Sequence, residues 1–149
     1  MSLKMTIPEL TGFMAAEFPQ VSDEFVIDAL QPYRITLRLR VGDKHLRPGG
    51  TVSGPSMFAL ADVAVYLAVL AMIGPQGLAV TTNTSLDFMR KPAAGTDLIA
   101  ECRLLKLGRV LAVGDVLMYS EGMNEPVARA SMTYSIPPRS VVSQGMEKP

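Results

Sequence analysis

With 149 residues, 48% of them hydrophobic, the chain is long enough to bury one core and too short for two ordinary domains. Its 14 Lys and Arg balance 14 Asp and Glu with no block of either sign, which argues against a nucleic-acid surface. A single Cys and a single His exclude an intramolecular disulfide and a cysteine-based metal site, and no metal is expected.

The amino terminus lacks the apolar core of a secretion signal. The longest apolar run, Val63 to Ile73, is too short to span a bilayer, so a soluble cytoplasmic protein without a membrane partner is expected. From Ile7 to Phe18 the apolar residues fall close to helical spacing, and Pro19 stops them. Two strands follow, Phe25 to Leu30 and Tyr33 to Arg40, split by Gln31-Pro32. The second alternates apolar and basic residues strictly, as a half-buried antiparallel strand does. Gly42 to Gly50 is a loop by composition.

A long helix comes next. Ser53 or Gly54 can cap it, Pro55 suits its first turn, and Gly74-Pro75 ends it. It is apolar on nearly every face, so other elements should wrap it. Beyond it, Leu78 to Met89, Asp97 to Leu107, Arg109 to Ser120 and Pro126 to Ile136 read as strands joined by turn-rich segments. Such a succession predicts an antiparallel meander, and the whole order predicts an α+β fold: one curved antiparallel sheet around one long central helix, with an N-terminal helix. A single domain over residues 1–136 and a mobile tail over 137–149 are expected.

Asp62 is the only charged residue between Arg47 and Asp87, and it sits inside the apolar helix. Burying a lone carboxylate is costly unless something pairs with it or uses it. It is either a structural group bonding polar neighbours or a catalytic one. Ser53 and Ser56 read as helix caps rather than nucleophiles, and no Gly-x-Ser-x-Gly elbow is present. His45, in a loop rich in glycine and charge, reads as a solvated surface residue.

The element order, together with Gly50-Thr-Val-Ser-Gly54, Leu60-Ala-Asp62, Thr81 to Leu86 and Phe88-Met-Arg-Lys-Pro-Ala93, resembles the hotdog-fold thioesterases of the phenylacetate-degradation type, related to the four-hydroxybenzoyl-CoA thioesterases. The resemblance spans Tyr33 to Ile136. It implies hydrolysis of an acyl-CoA thioester to coenzyme A and a carboxylic acid, with no cofactor beyond the coenzyme A of the substrate. By the same resemblance Asp62 is the catalytic carboxylate, Gly54 supplies the N–H that polarises the carbonyl, and Thr81 assists from the opposite subunit. Arg90, Lys91, Lys106 and Arg109 fall where the family binds the nucleotide and phosphates, as one basic rim. The implied assembly is a homodimer paired into a homotetramer.

Three positions depart from the family pattern. Ser53 replaces a His, Pro55 replaces a Gly, and Arg47 stands where an Asn or Gln orients the nucleophile, so Arg47 and Ser53 become substrate-side candidates. Arg47 can donate to a carbonyl or pair with Asp62 and quench it as a base. Two alternatives follow: an acyl-CoA-binding hotdog protein without catalysis, and a hotdog dehydratase or hydratase, which calls for a His beside the carboxylate. Gly54 and Asp62 are also eight residues apart, about 12 Å along a helix, so they cannot meet one atom by simple stacking.

Overall fold

The computed structural model describes residues 1–75 and 79–137. The elements in chain order are α1 (Ile7–Glu17), β1 (Phe25–Gln31), β2 (Arg34–Leu39), α2 (Gly54–Ile73), β3 (Val80–Phe88), β4 (Leu98–Leu107), β5 (Leu111–Ser120) and β6 (Ala128–Ser135). The expected tail lies outside the described residues except for Pro137, as does Leu78, the expected first residue of β3. The helix α1 opens with a capping box, in which Thr6 and Glu9 satisfy each other's backbone N–H.

All six strands form one antiparallel sheet in the order β1-β2-β4-β5-β6-β3. The expected meander therefore holds for β4 to β6 and fails for β3. The joint from Met89 to Asp97 is no tight turn: β3 pairs with β6 at the far edge, and β4 pairs with β2. The helix α2 carries the chain between the two sides, and touches every strand from β2 to β6. This is the hotdog arrangement that the resemblance implies.

Alternation in the strands supplies the inner wall. Ile35, Leu37 and Leu39 of β2, Leu98, Ala100 and Cys102 of β4, and Ala128, Ala130, Met132 and Tyr134 of β6 all face the core. By composition and length α2 could cross a bilayer, yet 67% of its most apolar stretch is buried inside the fold. One stripe escapes. Pro55, Phe58, Ala59, Asp62 and Val63 are partly or largely exposed, at the spacing of one helical face that the sheet leaves uncovered. Past that stripe α1 takes over, and its Phe13 and the adjoining Phe18 pack on Tyr66.

The loop ahead of α2 is held by a residue that composition places in solvent. His45 is only 5% exposed. Its Nδ1 accepts the Gly42 N–H at 2.8 Å, so Nε2 carries the proton and donates to Glu24 Oε1 at 2.7 Å. The His45 carbonyl then accepts the Ser53 N–H at 2.8 Å, beside a Leu46–Val52 bridge. The surface reading of His45 fails because Glu24, distant in sequence, supplies its partner. Burial pushes the Glu24 carboxyl up, but hydrogen bonds and charge from Lys44 and His45 outweigh it and hold the group below its ordinary 4.5.

Two measurements test this packing. A Cβ on Gly114 of β5 would lie 2.9 Å from both γ-carbons of Val65, a stiff β-branched side chain on α2. Gly114→Ala is expected to cost about 1–3 kcal/mol in urea unfolding. A carboxyl whose pKa is lower folded than unfolded stabilises above its unfolded value and loses that stabilisation as pH falls through the folded one. Glu24→Gln should therefore destabilise by about 1 kcal/mol at pH 7. The gap to wild type should narrow as thermal melts are taken below the ordinary carboxyl pKa of 4.5.

Candidate active site

Asp62 lies midway along α2, on the edge of the uncovered stripe, and its carboxylate is solvated by two hydroxyls from the sheet. Thr81 Oγ1 donates to Asp62 Oδ1 at 2.6 Å, and the Tyr134 hydroxyl lies 2.6 Å from the same oxygen. The Tyr134 hydroxyl is also 2.9 Å from the Asp62 carbonyl oxygen. Oδ2 accepts no hydrogen bond among the described residues. One carboxylate oxygen is thus fixed in place and the other is left uncommitted.

Thr81 and Tyr134 are direct partners across the β3–β6 ladder. A bulge at Thr82, between Thr81 and Asn83, makes that possible. Thr84 and Leu86 face inward on β3, and strict alternation would send Thr81 to the other face. The extra residue returns it to the inside. Burial first, then the charge and hydrogen bond of Asp62, push the Tyr134 phenol well above its ordinary 10. It therefore stays a neutral donor.

This group opens onto a cavity of about 490 Å³, whose other walls include Met14, Phe18, Val63, Tyr66 and Val80. A second cavity of about 420 Å³ lies at the start of α2, lined by Arg47, Gly54, Phe88, Arg90 and Lys91 among others. The Gly54 N–H has no acceptor among the described residues and belongs to the first turn, where the helix dipole favours negative charge. The Phe88 ring lies 3.5 Å from where a Gly54 Cβ would stand. The linker bearing the cations is pinned: Met89 and Arg90 N–H both bond the Val127 carbonyl, and Ala93 N–H bonds Ser120 Oγ at 2.8 Å.

Several expectations change against this geometry. Thr81 reaches Asp62 within one chain, not from an opposite subunit, because the bulge turns it inward. Arg47 lines the Gly54 cavity, and within one chain Asp62 enters no ion pair among the described residues. The Ser53 hydroxyl caps α2, accepting the Ser56 N–H and donating to Ser56 Oγ at 3.0 Å, and is no free substrate ligand. Nor do the four cations form one rim. Strands alternate direction, so Lys106 and Arg109 sit at the β4–β5 turn, near the Thr81 end of the sheet, whereas Arg90 and Lys91 sit near the opposite end. Arg90 is itself engaged, donating to the Pro126 carbonyl at 2.7 Å and pairing with Glu125.

Tyr134 is the functional candidate that sequence reasoning missed. Its signal is present, however: a phenol on the inner face of a strand otherwise lined by Ala128, Ala130 and Met132 needs a polar partner. Cys102 is buried, and burial pushes its thiol up to about 12, so it is no nucleophile.

Residues 49–127 match the profile of the Thioesterase superfamily. A crystal structure from Silicibacter sp. TM1040, of a protein provisionally named a thioesterase, is 63% identical, covers 93% of this chain and 96% of its own, and superposes with a TM-score of 0.87. The phenylacetic acid degradation protein PaaI from Thermus thermophilus, solved as a point mutant, is 28% identical over 80% of this chain and 99% of its own, with a TM-score of 0.68. Acyl-coenzyme A thioesterase 13 of Homo sapiens is 24% identical over 133 residues, or 89% of this chain and 92% of its own. The profile takes in more than half of the sequence, and the chain belongs to the thioesterase superfamily.

Proposed function

We propose that this chain hydrolyses acyl-CoA thioesters as a homodimer, with Asp62 as general base. The observation that carries this is the Asp62 carboxylate: it opens on an apolar cavity with one oxygen held by Thr81 and Tyr134 and the other uncommitted. Oδ2 takes a proton from water as the water oxygen attacks the thioester carbonyl carbon. The oxyanion that forms meets the Gly54 N–H at the start of α2. Collapse of the tetrahedral intermediate breaks the C–S bond and releases coenzyme A as thiolate. The name of the human relative, acyl-coenzyme A thioesterase 13, supports the substrate class.

Asp62 and Gly54 open onto different cavities of one protomer, about 12 Å apart on one helix. A homodimer removes this conflict if Gly54 of one protomer faces Asp62 of its partner. The uncovered α2 stripe supports such an interface, since Phe58 is 37% exposed and Phe88 beside Gly54 is 54% exposed. The edge strand β3 offers it free backbone as well. Two-fold pairing brings Lys106 and Arg109 of one protomer toward Arg47 and Lys91 of the other, around a negatively charged nucleotide. Pairing of two such dimers gives the homotetramer expected by resemblance.

Thiol release from a panel of acyl-CoA esters, followed with a thiol-detecting dye, tests the chemistry. Asp62→Ala is expected to lower kcat about 10²- to 10⁴-fold while acyl-CoA still raises the melting temperature. Equal, slow release by wild type and variant, with binding intact, would leave an acyl-CoA-binding protein without catalysis. Shared sites are tested by mixing. Gly54→Pro keeps a residue suited to a first helical turn but removes the N–H, and alone should lose about 10²- to 10³-fold in kcat. Refolded together with Asp62→Ala, it should recover about a quarter of wild-type activity, since half of randomly paired dimers are hybrids with one intact site of two. No recovery, with hybrids formed, rules the shared site out.

A further inference from the structure

The loop that leads into α2 is fixed by two residues to which the proposed reaction gives no part. Among the described residues, His45 is the one buried side chain from Gly42 to Thr51. Its ring joins two separate segments: Nδ1 accepts the Gly42 N–H at 2.8 Å, and Nε2–H donates to Glu24 Oε1 at 2.7 Å. Glu24 is anchored in turn, because its carbonyl accepts the Arg40 N–H at 2.8 Å, just past the end of β2. Beyond His45 the chain closes on itself. Leu46 bridges Val52, the Arg47 N–H bonds the Thr51 carbonyl at 2.9 Å, and the His45 carbonyl accepts the Ser53 N–H at 2.8 Å. The segment from His45 to Ser53 is therefore one closed unit that runs straight into Gly54. Val52 holds this unit to the core by apolar contact, which has no direction. Direction comes from the imidazole, since a bond at each ring nitrogen fixes the plane of the ring. A leucine at this position would spare the fold the desolvation of an imidazole and its carboxylate, but could not orient the unit.

We infer that Glu24 and His45 are positioning residues for the carbonyl-polarising end of the site: the carboxylate aims the imidazole, and the imidazole sets where Gly54 presents its N–H. The inference rests on the hydrolase reading above, in which that N–H meets the oxyanion. Gly54 directly follows Ser53, whose own N–H is the one that the His45 carbonyl holds. A reacting group displaced by about 1 Å can lose about 10²-fold in rate, so a helix start needs a directional tether if its N–H is to act. Arg47 rides on the same unit and lines the Gly54 cavity. Its long side chain can re-aim itself when the unit shifts, whereas a backbone N–H cannot. Loss of the tether therefore falls on kcat rather than on KM.

Thiol release from acyl-CoA esters, measured well below the melting temperature of every variant, tests this link. His45→Asn keeps an acceptor for the Gly42 N–H but is too short to reach Glu24, and Glu24→Ala removes the acceptor from the other side. Each is expected to lower kcat about tenfold with KM within about twofold of wild type. The double variant should lose no more than either alone, because both changes cut one link. Glu24→Gln retains an oxygen for Nε2–H, so it should recover about half or more of wild-type kcat although it melts lower. Unchanged kcat in both single variants, losses that multiply in the double, or a rise in KM in place of the fall in kcat overturns the assignment. So does a Glu24→Gln variant no more active than Glu24→Ala. Amide hydrogen exchange gives a readout that needs no turnover: in His45→Asn the Ser53 N–H should exchange about tenfold faster or more, with amides at mid-helix unchanged. An unaltered Ser53 rate overturns the tether itself. Absence of thiol release by wild type from every ester overturns the hydrolase reading and the role in catalysis with it, and leaves the exchange result to show that the tether is real.

Discussion

A carboxylate on an apolar helix has to be solvated by the protein itself, and the way Asp62 is solvated governs most of this site. Two hydroxyls from the facing strands converge on one oxygen, at 2.6 Å each, and no cation takes part among the described residues. Neutral donors stabilise the charge without cancelling it, whereas an arginine in their place would tie the group up in an ion pair. This arrangement demands that β3 and β6 be neighbours, with Thr81 opposite Tyr134. It also demands that α2 lie across that pair with Asp62 at their level. The strand order, in which β3 leaves its sequence neighbour β4 for the far edge, supplies the first demand.

What was legible in the sequence follows from how local each signal is. The bounds of α2 could be read because Ser53, Pro55 and Gly74 act within one turn of themselves. The alternation of β2 could be read for the same reason, since period two is set by neighbours along the chain. The place of β3 could not: Val80 to Phe88 look the same beside β4 or beside β6, and only the closed sheet decides. His45 was misjudged because its loop is polar, while its burial depends on Glu24, which is 21 residues away. Asp62 and Gly54 stood out as an isolated charge and a helix start. Tyr134 did not, because a tyrosine in a strand is ordinary until its inward face is known.

The same distinction separates what one chain contains from what it lacks. Each protomer carries a carboxylate at mid-helix and, at the helix start, a Gly54 N–H without an acceptor among the described residues, and the rigidity of the helix keeps them apart. The exposed apolar stripe along α2, with Phe58 and Phe88 near Gly54 and Val80 near Thr81, runs between the two cavities. Exposed apolar surface and the two polar groups therefore share one face.

The bulge at Thr82 has a consequence for how this chain tolerates change. Because Thr82 is the unpaired extra residue, Thr81 keeps the inward register opposite Tyr134; ironing the bulge out with every residue retained would turn Thr82 inward instead. Loss of Thr82 restores strict alternation with Thr81 still opposite Tyr134, and loss of Thr81 brings Thr82 into the same place. Two threonines in succession thus protect the hydroxyl beside Asp62 against the loss of either one.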